Sequence, residues 1–203
     1  MLIYVNVVFA EELKSIQLPK PQLEGGKPLM QVLKERKSAR EFSSEKLPLQ
    51  VLSNLLWAAS GINRSDSGKR TAPSAANWQE IDIYVATADG LYLYDAKPHL
   101  LKPVLAEDIR ALTGRQPFVK DAALNLIYVA DFSRIARGTN EEKDFFSAAD
   151  TGFIAQNVYL FCASEGLATV VRANIDRATL GKTMKLASDQ RITLSQTVGY
   201  PKK

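Results

Sequence analysis

A single cysteine, Cys162, and a single histidine, His99, are all that the 203 residues hold of either type. One thiol excludes an intramolecular disulfide framework. With no His/Cys cluster at metal-ligand spacing, the sequence also argues against a zinc site or a Cys-His nucleophile pair. An excess of one charge is scarce too: 26 Lys+Arg stand against 22 Asp+Glu, a net +4, and no run of five or more cations exists to form a nucleic-acid arm or a membrane patch. The apolar stretch at residues 2–10 is about half of the ~20 residues a membrane-spanning helix needs. Internal repeats and low-complexity segments are lacking. What remains is 46% hydrophobic and 24% charged residues, the ordinary globular range, which predicts one domain, alone or as a tight dimer of one-domain subunits.

The first 27 residues stand apart. Residues 2–10 read either as an N-terminal strand or as the remnant of a secretory leader, with the small Val8 and Ala10 where a signal peptidase reads before Glu11. The basic front of such a leader is missing, which a start placed too late would explain; the location stays open between cytoplasm and periplasm. Residues 11–28 carry Pro19, Pro21, Pro28, Gly25 and Gly26, the composition of an extended arm of the kind that lies across a partner subunit. The folded domain is expected over 28–203.

Hydrophobic periodicity predicts the elements of that domain. Residues 29–37 read as a short helix with Leu29, Val32, Leu33 and Arg36 on one side. Pro48 opens a second, in which Leu52, Leu55, Leu56 and Ala59 share a face and Gly61 is a left-handed stop. Residues 62–72 read as a loop. From Ile81 the pattern alternates, Ile81, Ile83 and Val85 against Asp82, Tyr84 and Ala86, and turns at 89–90 and 95–98 lead into two further antiparallel strands. Residues 106–113 read as a helix ended by Gly114, and 124–130 as a strand buried on both faces. Residues 144–165 form the longest helical stretch, with almost no polar face, so protein should surround it until Gly166 stops it. A strand at 169–171, a helix at 176–186 and a strand at 192–198 complete an α+β chain. Cys162 is expected to be a small buried hydrophobe, and His99 to face the hairpin's surface without a role.

Three segments could carry chemistry. Arg36-Lys37-Ser38-Ala39-Arg40 places three cations and a hydroxyl within five residues, a donor set of the size of a phosphate, since guanidinium groups hold phosphate oxygens in bidentate fashion. A helix end decorated with cations, which the macrodipole favours by ~0.3 to 1 kcal/mol, would look the same. Pro73-Ser74-Ala75-Ala76-Asn77 combines small residues with two polar ones, so that backbone N–H groups could approach a flat heteroaromatic ring while Ser74 and Asn77 bond its polar edge; an ordinary loop before the strand at Ile81 is the alternative. In the third, Gln156 and Asn157 sit in an apolar helix, where burial without partners would cost ~1 to 3 kcal/mol each, and 165–172 follow.

In this order and spacing the three segments resemble the FMN-dependent nitroreductase family, over residues 28–201. Gly90-Leu91-Tyr92-Leu93-Tyr94-Asp95, followed by His99 and Leu101, is similar to the branch that includes azoline oxidases. The resemblance implies a mixed or antiparallel central sheet flanked by helices, an intertwined homodimer, FMN at each of two subunit interfaces, and NADH or NADPH as electron donor. Carried over, Arg36, Lys37, Ser38 and Arg40 would hold the FMN phosphate and ribityl chain, and Pro73, Ser74, Ala75 and Asn77 would reach the isoalloxazine from the other subunit. Gln116 would lie near the pyrimidine edge, Val171, Arg172 and Ala173 would line flavin N5 with the backbone N–H of Arg172 facing it, and Lys202 or Lys203 would add to the phosphate site. Ala76, Glu80 and Gly152-Phe153 depart from the family's frequent Gly, Pro and Gly-His, and the insert between Ala130 and Asp144 is short, which puts the pocket's shape in question. The activity implied is NAD(P)H-driven ping-pong reduction of a nitroaromatic, quinone or similar small acceptor, with neither nucleic acid nor membrane as partner. An FMN oxidase of azoline type using dioxygen, and a redox-silent flavin-binding protein, are the competing readings.

Overall fold

The computed structural model describes residues 13–203, so the readings made for residues 2–10 lie outside the described residues. In chain order the strands are β1 (Ile16–Gln17), β2 (Ile62–Arg64), β3 (Lys69–Arg70), β4 (Ile81–Thr87), β5 (Gly90–Asp95), β6 (Leu100–Leu105), β7 (Leu124–Asp131), β8 (Ala168–Arg172) and β9 (Gln190–Gly199). The helices are α1 (Leu29–Glu35), α2 (Leu49–Ser60), α3 (Asn140–Glu165) and α4 (Arg177–Thr183). Seven strands make one antiparallel sheet in the order β1-β6-β5-β4-β7-β9-β8, and β2 and β3 pair separately.

The alternation of β4 and the unbroken apolar run of β7 explain the layers. Ile81, Ile83 and Val85 with Leu124, Leu126, Tyr128 and Ala130 pack against α2 and α3. Tyr84, Ala86, Ile127 and Val129 pack on the other face with Leu180 and Met184 of the α4 region. Each large side chain so buried contributes roughly 1.5–3 kcal/mol, and β7, covered on both faces, is the middle of the molecule. Cys162 is fully buried in the first of these clusters, and burial pushes its thiol pKa up.

Several local expectations need correction. Gly61 ends α2 in an extended conformation, φ −72°, and is glycine for space: a Cβ there would stand 2.4 Å from the Trp57 ring. Residues 62–72 hold the β2–β3 hairpin, closed by Arg64 Nη2 donating to the Arg70 carbonyl at 2.6 Å. Residues 106–113 form no α-helix but a single 3₁₀ turn at Arg110–Leu112, where Asp108 Oδ1 takes the Arg110 N–H at 3.0 Å. The long helix begins four residues before the expected start, because Thr139 and Glu142 form a capping box. His99 is half-buried, not on the surface. Its Nε2 lies 2.7 Å from Ser53 Oγ and its Nδ1 2.9 Å from Tyr94 Oη; as Ser53 donates to the Pro19 carbonyl, Nε2 carries the proton and Tyr94 donates to Nδ1.

Residues 13–27 make contacts with their own chain. Ile16 and Gln17 pair with Leu101 and Leu100, Gln50 and Ser53 of α2 donate to the Lys20 and Pro19 carbonyls, and Lys27 N–H reaches Ser164 Oγ at the end of α3. One face of α3 is not covered by its own chain. Ala148, Gly152, Phe153 and Gln156 are exposed and Asn157 half-buried, so the expected burial of these two amides does not occur within one subunit.

Gly61→Ala should lower the unfolding free energy by about 1–3 kcal/mol, the usual cost of forcing a methyl into a filled space, as measured by urea denaturation.

Candidate functional site

After α1 the chain turns extended at Arg36, with φ −55° and ψ 121°, and runs beside the outer edge of β8, where Ala39 N–H donates to the Thr169 carbonyl at 3.0 Å. Tyr159 of α3 fastens this seam. Its hydroxyl accepts the Val171 N–H at 3.0 Å and meets Ser38 Oγ at 2.9 Å, while the Arg36 guanidinium lies 5.2 Å from the centre of its ring. Among the described residues no carboxylate comes within 4 Å of Arg36, Lys37 or Arg40. Lys37 lines a groove of about 430 Å³ with Lys27, Glu35 and Gly166, a groove that Arg36, Ser38 and Arg40 do not line. The C-terminus runs alongside: Pro201 bridges Phe42 and Lys202 N–H donates to the Glu41 carbonyl at 3.4 Å, which brings Lys202 and Lys203 next to the cationic stretch.

Parity along β8 decides which N–H groups are free. In an antiparallel ladder the N–H and C=O of one residue point to the same side and those of the next residue to the other. Thr169 and Val171 point off the edge, so Arg172, paired with Ser195, turns its N–H toward β9. The expectation that the Arg172 N–H faces a ligand is therefore corrected. Ala173, one residue past the strand and exposed, has an N–H with no acceptor among the described residues.

The Arg172 side chain turns inward. Its guanidinium, 5% exposed, donates to the Thr113 carbonyl at 2.8 Å, Asn125 Oδ1 at 2.9 Å and Thr197 Oγ1 at 3.0 Å, with no carboxylate within 4 Å among the described residues. Burial pulls its pKa down to about 10, which still leaves it charged at neutral pH. Gly114 makes room for it, since a Cβ there would stand 1.8 Å from Nη1. Gln116 follows, with a buried Oε1 that has no protein donor.

The segment Pro73-Ser74-Ala75-Ala76-Asn77 opens a tight turn in which Ala76, Asn77 and Gln79 have φ of 47°, 57° and 49°. Left-handed conformations cost a non-glycine residue roughly 1 kcal/mol or more each, so surrounding bonds must hold them. Ser74 Oγ accepts the Gln79 N–H at 3.0 Å, Arg70 Nε donates to Gln79 Oε1 at 2.8 Å, and Arg134 Nη1 donates to the Gln79 carbonyl at 2.8 Å. From α3, Asp150 Oδ2 accepts the Ala75 N–H at 2.8 Å, and the fully buried Glu80 follows the turn.

One chain therefore brings Arg36, Ser38, Arg40, Val171 and Ala173 to one edge, and holds Pro73, Ser74, Ala75 and Asn77 elsewhere. The two groups meet α3 at Tyr159 and Asp150, nine residues or about 14 Å apart along its axis. Sequence reasoning missed Tyr159, Asp150 and the inward Arg172 side chain. No local pattern signals the first two. The third was open to suspicion as a cation in a run of β-branched residues. Among the described residues no group of three His, Cys, Asp or Glu could hold a metal ion, and no helix is long and apolar enough to cross a membrane.

The family model described as Nitroreductase family matches residues 33–200. A Methanocaldococcus jannaschii protein named for a nitroreductase is 34% identical over 166 residues, 77% of this chain and 83% of its own. A crystal structure from Ralstonia eutropha, also named for a nitroreductase, superposes with a TM-score of 0.91 at 45% identity, covering 96% of this chain and 93% of that one. The NADPH:FMN oxidoreductase of Vibrio harveyi, solved with NAD+, shares the fold at a TM-score of 0.66 and 19% identity over 86% of this chain and 69% of its own.

Tyr159→Phe leaves the Val171 N–H without its acceptor. We expect a loss of about 1–3 kcal/mol in unfolding free energy, the cost of an unmet buried polar group, and faster hydrogen exchange at the Val171 amide, read by NMR.

Proposed function

We propose that this chain, which belongs to the nitroreductase family, is an FMN-dependent oxidoreductase that takes electrons from NADH or NADPH and passes them to a small acceptor such as a nitroaromatic or quinone. One observation carries the reading. A stretch of cations with no carboxylate within 4 Å among the described residues runs beside the β8 edge, and the first N–H past that strand, that of Ala173, has no acceptor among the described residues. That donor set suits a molecule with an anionic tail and a heteroaromatic head, which is the chemistry of FMN. FMN, when bound, supplies hydride transfer between the nicotinamide and the acceptor.

Each part of the chain has a task in this scheme. Arg36, Arg40 and Ser38 bind the phosphate and its ribityl neighbour, Tyr159 holds Ser38 in place, and Lys37, Lys202 and Lys203 raise the local positive potential. The Ala173 N–H donates to the ring system in place of the Arg172 N–H, and the buried Arg172 guanidinium adds a fixed positive charge behind the strand. Gln116 Oε1, lacking a protein donor, is available to an N–H on the ring's pyrimidine edge.

A second copy completes the site. Leu29, Met30 and Leu33 of α1 and Phe145 and Phe153 of α3 are exposed, an apolar surface that favours coverage by another subunit. In that homodimer, with two sites, Pro73, Ser74, Ala75 and Asn77 of one chain approach the cationic stretch of the other.

Purified protein should carry FMN, identified after release by its chromatographic mobility, and anaerobic mixing with NADH or NADPH should bleach the flavin absorbance. Arg40→Ala should weaken FMN binding by about tenfold or more, as loss of a charge-assisted contact implies. A full complement of FMN in the variant would overturn the phosphate assignment. Flavin reduced by neither nicotinamide would favour an oxidase instead.

A further inference from the structure

Glu80, between the strained turn and β4, is a carboxyl with no exposed surface, and neither of its oxygens accepts a hydrogen bond of ordinary length and angle. Ser147 Oγ, on α3 one turn before Asp150, is buried, makes no hydrogen bond of ordinary geometry either, and is the hydroxyl that faces the Glu80 carboxyl. Beside them stands Asp150, also buried, one of whose oxygens is occupied by the Ala75 N–H at 2.8 Å. Two ionised carboxylates in this setting would repel one another, with one well-formed hydrogen bond, from the Ala75 N–H, between them. A proton on Glu80 removes the repulsion and supplies the missing donor, as in other paired carboxyl groups.

We infer that Glu80 is a positioning residue that shares one proton with Asp150, and that this shared proton holds the 74–79 turn in the strained form that presents Ser74 and Asn77. The pair sits at the root of the turn. Asp150 grips its first N–H at Ala75, and Glu80 is the residue that leaves it, so repulsion between the two carboxylates would push on both ends of a segment that contains three left-handed residues. The two cations nearest the turn are engaged elsewhere. Arg134 pairs with Asp82 and Asp131, and the Arg70 guanidinium is bonded to Gln79 Oε1 and the Ser60 carbonyl, so Asp150 is the titratable group that faces Glu80.

Titration gives the device a direction. Burial first, and the Asp150 charge next, push the Glu80 carboxyl up to about 7, from an ordinary value of 4.5. Burial also raises Asp150, against the pull of the Ala75 N–H, so Glu80 is the member that keeps the proton and Asp150 the acceptor. A carboxyl whose pKa is higher in the folded chain contributes stability that is complete below about 4.5 and is lost as pH rises through about 7. The turn should therefore loosen on the alkaline side of neutrality. The coupling concerns this chain's own turn; only its effect on flavin rests on the function proposed above.

Trp78 lies inside the turn, with its ring edge-on to Phe146 at 5.8 Å, and reports on the turn directly. In full-length protein carrying Trp57→Phe, Trp78 is the sole tryptophan, since the chain has two. Its emission should change in one step near pH 7, and urea stability of the otherwise unaltered chain should fall over the same interval. Glu80→Gln, which keeps the shape and an N–H donor toward Asp150 without a titrating proton, should abolish both changes. Asp150→Asn, which preserves an acceptor for the Ala75 N–H and removes the like charge, should move the step to lower pH. Unaltered pH profiles in Glu80→Gln, or a step left at its original pH in Asp150→Asn, would overturn the inference, as would a flat profile in the parent. Affinity for added FMN should weaken severalfold between pH 6 and 8.5 in the parent and stay level in Glu80→Gln. Fluorescence and stability steps that persist in protein unable to bind FMN would sustain the turn mechanism while removing the flavin assignment, so the two readings fail separately.

Discussion

Two of the polar points at which α3 meets the rest of the chain belong to the candidate site, and its geometry follows from their spacing. At Tyr159 a hydroxyl joins the β8 edge to the cationic segment; at Asp150 a carboxylate takes the first N–H of the 74–79 turn. A helix is stiff over nine residues, so the two recognition elements keep their separation of about 14 Å whatever the loops around them do. Between and just beyond these points, apolar packing through Ile154, Ala155, Val158 and Cys162 joins the Thr151–Thr193 hydroxyl contact and the Gln196 amide on the Ala155 carbonyl in holding the helix down. The polar bonds supply the register.

Charge is distributed along that helix in an unusual way. Near Tyr159 stand cations with no carboxylate partner, and Arg172 lies behind them in the core, bonded to carbonyl, amide and hydroxyl oxygens. Near Asp150 stands the reverse, two carboxyl groups held close together in a buried place. The two apolar layers on the faces of β7 supply most of the buried surface that holds these groups in place.

Much of the framework was legible in local pattern. The alternation at Ile81, Ile83 and Val85 and the apolar run at 124–130 reflect sheet faces that are buried on one or both sides, and the cation-rich Arg36-Lys37-Ser38-Ala39-Arg40 stretch lies on the surface, as its composition demands. Thr139 and Glu142 announced the start of α3 at capping-box spacing, though the apolar pattern begins later and drew the boundary inward. At 106–113, where a short helix is expected, Asp108 caps the Arg110 N–H with its side chain and the chain makes a single 3₁₀ turn.

Local sequence determined the elements, their faces and the identity of the candidate donor groups, because each of these depends on residues within a few positions of one another. Tertiary structure alone decided which of those groups are available. Whether the N–H of Arg172 or of Ala173 stays free depends on the register of β8 against β9, some 25 residues further along the chain. Whether Glu80 holds a proton depends on α3 bringing Asp150 beside it from 70 residues away. Long-range pairing fixes parity and burial, and parity and burial set which polar groups can still bind something else.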